Sequence, residues 1–156
     1  MKIALGNDHC GYEMKVALKP FFDSLGMEIV DYGCHSTEPV DFPDISRKVC
    51  DAVRNGEDTR GIMICGTGVG AAIAANKMTG IRASVCHDIH SAHQCVEHDN
   101  VNVMCIGAQI IGPWVAEDLI KAFLSAEFST EEHFRRRVEK LRNLEIESAR
   151  ELKDLI

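Results

Sequence analysis

The chain has 156 residues, one domain's worth at ~150 residues per domain. Of these, 46% are hydrophobic, 26% charged and 6% aromatic, which excludes a disordered or fibrous chain and calls for an aliphatic core. Acids outnumber bases 24 to 17, and the net charge of −7 argues against nucleic acid or an anionic membrane as partner.

The amino terminus, Met1–Asp8, meets an acid before any signal-peptide apolar stretch could form. No apolar run approaches the ~20 residues that span a bilayer, so a single cytoplasmic domain over 1–156 is expected. Strand-length apolar runs recur at Ile3–Gly6, Met27–Val30, Gly61–Cys65, Ile81–Cys86 and Val101–Gly107. Helical spacing separates them: Tyr12, Val16 and Phe22–Leu25; then Ile45, Val49 and Val53; then a small-residue stretch from Ala71 to Met78; then a helix opened by Pro113. Strand and helix in alternation predict a parallel sheet covered on both faces. The near-continuous apolar runs 61–65 and 103–107 predict central strands. Five strands suggest a doubly wound sheet in the order 2-1-3-4-5. The last residues, 130–156, read as one long charged helix with an acidic first turn. Its apolar positions Phe134, Val138, Leu141, Leu152 and Leu155 suit packing on a partner subunit.

Ligands of such sheets bind at the carboxyl ends of the strands. The strand exits there read Asn7-Asp8-His9-Cys10-Gly11, Asp31-Tyr32-Gly33, Cys65-Gly66-Thr67-Gly68-Val69-Gly70, Cys86-His87-Asp88 and Gly107-Ala108-Gln109. The loop Gly66–Gly70 is either an anion cradle of converging backbone N–H groups or a plain tight turn. It is neither a dinucleotide fingerprint, its third glycine falling one residue early, nor a Walker loop, which needs Gly-Lys-Ser/Thr. Cys65 stands at the strand's end before a helix, where the helix dipole is expected to lower its thiol pKa and suit it to base or nucleophile work. The other six cysteines, with no C-x-x-C pair among them, read as reduced core residues. His87, His90 and His93 have helical ligand spacing, but nothing completes a metal set, and a polar helix face explains them. His98, in Glu97-His98-Asp99-Asn100, is expected on a short polar loop that brings it to the crevice as an acid–base group.

These segments together resemble the ribose-5-phosphate isomerase B / galactose-6-phosphate isomerase family. The resemblance is carried by Gly6–Glu13, Asp41-Phe42-Pro43-Asp44, Ile64–Lys77, Gly80-Ile81-Arg82-Ala83, Glu97–Asn100 and Gly107–Gly112, in family order across residues 2–125. It implies a Rossmann-like α/β/α sandwich, a homodimer or tetramer, and aldose–ketose isomerisation of a phosphorylated sugar without metal or other cofactor. Cys65 would be the base that moves a proton between C1 and C2 through an enediolate. Some relatives instead use a Glu where Ala71 stands. Gly66, Thr67, Gly68, Val69 and Gly70 would hold the oxyanion, His98 would open the sugar ring, and Asp8 and His9 would contact substrate. Asp99 stands where Asn is commoner. Gln109 stands where the family usually has Arg. Aligning the family's C-terminal Arg-His-x-x-Arg pattern on His133 puts Glu132 in its first Arg position and Arg136 in its second, whereas aligning it on Val138 offers His133 and Arg137, so the phosphate contact falls to one of Arg135, Arg136 and Arg137. Losing a bidentate guanidinium weakens phosphate recognition, so the substrate can be a tetrose, another pentose or a hexose phosphate instead of ribose 5-phosphate. A receiver domain would need a phosphoacceptor Asp at the Cys65 position and a Lys near Gln109, and a flavin carrier a phosphate loop after the first strand. Neither is present. No resolving thiol lies within sequence reach of Cys65 to make it a redox sensor.

Overall fold

Alternation along each strand sorts the side chains onto two faces, and the helices follow. The computed structural model describes residues 1–56 and 59–155. Its strands are β1 (Lys2–Asn7), β2 (Glu28–Asp31), β3 (Thr59–Cys65), β4 (Ala83–Val85) and β5 (Val103–Gly107). Its helices are α1 (Tyr12–Ser24), α2 (Phe42–Asn55), α3 (Val69–Ala75), α4 (Ile89–Asp99), α5 (Pro113–Ser125) and α6 (Glu132–Leu155). Ile3 and Leu5, Ile62 and Ile64, and Met104 and Ile106 face α1, α4 and α5, where Leu18, Val96, Leu119 and Phe123 meet them. Ala4, Met63, Cys65, Val103 and Cys105 face α2 and α3, against Ile45, Val49, Ala71 and Ala75. Alanine on α3 lets that short helix lie close on the sheet.

Every strand pair is parallel, and the order is β2-β1-β3-β5-β4. The expected order 2-1-3-4-5 is therefore wrong at its end. β4 supplies only three half-buried residues and takes the edge, whereas all five residues of β5 are buried and pair with β3, and Val103–Cys105 pair with β4 as well. A strand with no solvent face belongs inside. The central placement of 61–65 and 103–107 is as the sequence predicted. In register, Asn7 lies opposite Ile64 and Cys65 opposite Gly107, so β1, β3 and β5 end together at one edge.

The peptide from Ile89 to Asp99, expected to end in a polar loop, is helical throughout. Ala92, Cys95 and Val96 bury one face, Asp88 caps the first turn through Ser91 N–H at 2.8 Å, and Asn100 at φ 51° ends it. Pro113 opens α5 as expected. None of the described side chains of α6 is buried. No helix among the described residues is long and apolar enough to cross a membrane.

Candidate active site

β1 and β3 deliver Asp8 and Cys65 to the same spot. Asp8 follows the last residue of β1, and its N–H donates to the Ile64 carbonyl of the neighbouring strand at 3.2 Å. Its carboxylate is 3% exposed, yet fully engaged: Oδ1 accepts the Gly11 N–H at 3.1 Å and Oδ2 accepts the Cys65 S–H at 2.9 Å. Gly11 must be glycine, since any Cβ there would run into the Ile64 carbonyl. Asn7 braces the turn from behind, its Nδ2 donating to the Asp8 carbonyl at 2.9 Å and to the Cys34 carbonyl at 3.3 Å. Lys15, nearly buried, ties the same Cys34 carbonyl (2.7 Å) to the Asp31 carboxylate (2.8 Å).

The electrostatics of Cys65 reverse the expected direction. Burial pushes its thiol up, and the hydrogen bond to Asp8 and the Asp8 charge push it further; the Gly66 and Gly68 N–H groups oppose this and lose. Proximity to a helix start is outweighed because α3 has only seven residues and a carboxylate stands at hydrogen-bond distance. At neutral pH the resting sulfur is therefore a thiol. Asp8 lies 57 residues away in sequence, and its bond to Cys65 has no local signature in the sequence.

The loop behind Cys65 turns through Gly68, the N-cap of α3, at φ 80°. A Cβ there would also stand 3.2 Å from the Ile106 backbone carbon. Thr67 and Val69 are exposed at the mouth, where Thr67 Oγ1 accepts the Val69 N–H at 3.3 Å. Gly70 leaves room for the Phe42 ring, whose edge would be 3.0 Å from an added Cβ. Gln109 closes the other side, its N–H donating to the Gly66 carbonyl at 3.0 Å. His87 Nε2 accepts the Gly107 N–H at 2.9 Å and so fixes the end of β5 beside Cys65. The sequence places His87 at a strand exit on this edge, but its bond to Gly107 has no signature there.

The Val40 N–H donates to His9 Nδ1 at 3.3 Å, which in the neutral ring places the proton on Nε2 as a donor. Side-chain atoms of Asp8, His9 and Cys10 come within 4.8 Å of one another. That tautomer, however, presents a proton where a metal would need a lone pair.

The remaining predicted residues lie elsewhere in the chain. α4 begins beyond the carboxyl end of β4 and runs back to the start of β5, so His98, in its last turn, sits at the amino edge of the sheet. The polar letters Glu97–Asn100 belong to a helix end, and this corrects the expected crevice loop. His98 stacks on Phe134 of α6 with ring centroids 3.9 Å apart and planes at 19°, and the Ser129 N–H holds the Glu97 carbonyl at 2.9 Å. Asp99 is exposed beside it, and Arg136 pairs with Glu132 at 2.6 Å on the surface of α6. One chain therefore groups Asp8, His9 and Cys65–Gly70 at one edge, and His98, Asp99 and Arg136 at the other.

Comparisons with known proteins bear on this arrangement. Residues 3–141 match the family described as Ribose/Galactose Isomerase. The chain is 40% identical to a ribose-5-phosphate isomerase B of Escherichia coli over 92% of its length and 96% of that protein's. It is 38% identical to a D-erythrulose-4-phosphate isomerase of Pectobacterium atrosepticum, over 82% and 85%. The solved Clostridium thermocellum ribose-5-phosphate isomerase B superposes with a TM-score of 0.90 at 42% identity, covering 95% of this chain and 99% of that one.

Proposed function

Since the chain belongs to the ribose/galactose isomerase family and is a sugar-phosphate isomerase, we propose that it interconverts an aldose phosphate and a ketose phosphate through an enediolate, with Cys65 as the base. The observation that carries this reading is the Cys65 Sγ–Asp8 Oδ2 contact of 2.9 Å beneath the Gly66–Gly70 turn. The pair shares one proton. With that proton on Asp8, Cys65 is a thiolate and can take the proton of the carbon next to the substrate's carbonyl. The carbonyl oxygen then gains charge, and the loop N–H groups of Gly66–Gly70, with Thr67 at the mouth, are the donors in reach of it. Returning the proton to the neighbouring carbon completes the isomerisation, so base and acid are the same sulfur.

The Nε2–H of His9 suits a substrate oxyanion or phosphate oxygen. His98 as ring-opening acid, with Asp99 and Arg136 as substrate contacts, requires a second copy of the chain to bring its amino-edge cluster onto this one's carboxyl-edge site. A homodimer does so symmetrically: each copy receives a cluster and gives one.

Gln109 argues for a substrate other than ribose 5-phosphate. It caps the loop where a guanidinium would otherwise grip phosphate, and a lost charged hydrogen bond forfeits about 1.5–3 kcal/mol, roughly 10- to 150-fold in kcat/KM. One relative's name specifies a four-carbon substrate, and a tetrose phosphate heads the list. The test is a screen of phosphorylated aldoses and ketoses of four to six carbons, with kcat/KM for ribose 5-phosphate measured beside the best of them. Another sugar phosphate should win. If ribose 5-phosphate wins, Gln109 is neutral and the substrate is ribose 5-phosphate. If nothing is isomerised, the catalytic reading itself fails.

A further inference from the structure

Two other cysteines face each other away from Cys65. Cys86 directly follows β4, with its N–H on the Cys105 carbonyl at 3.1 Å, and has no exposed surface. Cys95 lies in α4 and is 8% exposed, its S–H against the Ala92 carbonyl at 3.4 Å. Both are free, and their sulfurs are 3.9 Å apart. A disulfide needs the sulfurs at ~2.05 Å, so they must approach by about 2 Å from where they stand. The pair is also chemically uneven. The contacts with Cys95 and Ser84 hold Cys86 below the ordinary thiol value, while the same sulfur contact and burial push Cys95 above it. Cys10, Cys50, Cys65 and Cys105 are all pushed up. A thiolate is the reacting form, so Cys86 is the favoured nucleophile even though Cys10 and Cys34 are more exposed.

We propose that Cys86 and Cys95 are a reversible disulfide site, closed by hydrogen peroxide and reopened by a dithiol. The Cys86 sulfur attacks the peroxide oxygen, the O–O bond breaks, and the sulfur becomes a sulfenic acid with release of one water. The Cys95 sulfur then attacks Cys86, the S–OH bond breaks, and hydroxide leaves with the Cys95 proton as a second water. In total, two thiols lose two electrons and one peroxide gains them. The new bond staples the exit of β4 to α4 around His87, the residue whose ring holds Gly107 beside Cys65.

The experiment does not depend on the isomerase reading. The full chain is exposed to a small excess of hydrogen peroxide, its free thiols are alkylated, and the digest is mapped by mass spectrometry. The expected result is a linked peptide pair containing Cys86 and Cys95, loss of both alkylation sites together, and recovery of both with dithiothreitol. In Cys95→Ser the linked pair disappears, and Cys86 stops at a sulfenic acid that dimedone traps. The proposal is overturned if Cys86 and Cys95 stay alkylatable while peroxide is consumed elsewhere. It is equally overturned if either pairs with a different cysteine, or if Cys86 runs on to sulfinic acid in the wild-type chain. The wild-type map decides the matter even if the variant fails to fold.

Discussion

The carboxyl-edge and amino-edge clusters are built by opposite means. At the first, Asp8 and Cys65 are less than a tenth exposed, and each oxygen of the carboxylate has a partner fixed by backbone. At the second, His98 rests on one aromatic face and Arg136 holds one neighbour on its own helix in open solvent. The first cluster is shaped by the sheet register, because strands that pair must end together. The second is shaped by two helix ends meeting, where the α4 end and the α6 start bring His98 onto Phe134. Strand register leaves the first cluster little conformational freedom, and the second keeps more of it.

The largest effect should come from breaking the buried pair. Cys65→Ser keeps the volume and removes the tunable proton acceptor; kcat should fall by at least ~10² with the thermal melt unchanged. Near-wild-type turnover would move the base elsewhere. Next, the two clusters can be placed on different chains. If a site takes Cys65 from one copy and His98 from another, Cys65→Ser and His98→Asn chains should each be poorly active. Dissociated and reassociated in equal amounts, they should regain about a quarter of wild-type activity, since half the dimers are mixed and each mixed dimer has one intact site. A mixture no better than its components would contradict the shared site.

A smaller effect tests the electrostatics. Burial and Asp8 both push the Cys65 thiol up, so Asp8→Asn removes a negative neighbour and lets the thiolate form at lower pH. The rate of iodoacetamide alkylation at Cys65, mapped by mass spectrometry, should rise at lower pH than in wild type. A shift to higher pH would mean that Asp8 stabilises the thiolate. The smallest change should come from the exposed pair on α6: Glu132→Gln should alter chemical-denaturation stability by under about 0.5 kcal/mol, the worth of an exposed i,i+4 pair.

What could be read from the letters divides along the same line. Continuous apolar runs announced β3 and β5 as central, because burial on both faces leaves no polar positions. The order of β4 and β5 was misread because adjacency depends on how many residues each can pair, and Ala83–Val85 is half the length of the apolar run that contains it. His98 was placed on a loop because Glu97–Asn100 is uniformly polar; the buried triplet Ala92, Cys95 and Val96 was the sign of a helix. Asp8 is legible as a polar residue at the exit of β1. Its grip on Cys65 crosses between neighbouring strands and carries no local signal.

The last helix has a thermodynamic consequence of its own. The buried interior ends at Ala126, where the Arg60 guanidinium binds the Ala126 carbonyl at 2.7 Å and the Phe123 carbonyl as well. Beyond that clamp, 24 residues of α6 bury no side chain, and Leu141, Leu144 and Leu152 remain wet. A helix in water draws most of its stability from tertiary contact. With so little of it, α6 stands at the low-stability end of the molecule, and on heating its helicity should fade before the sheet yields.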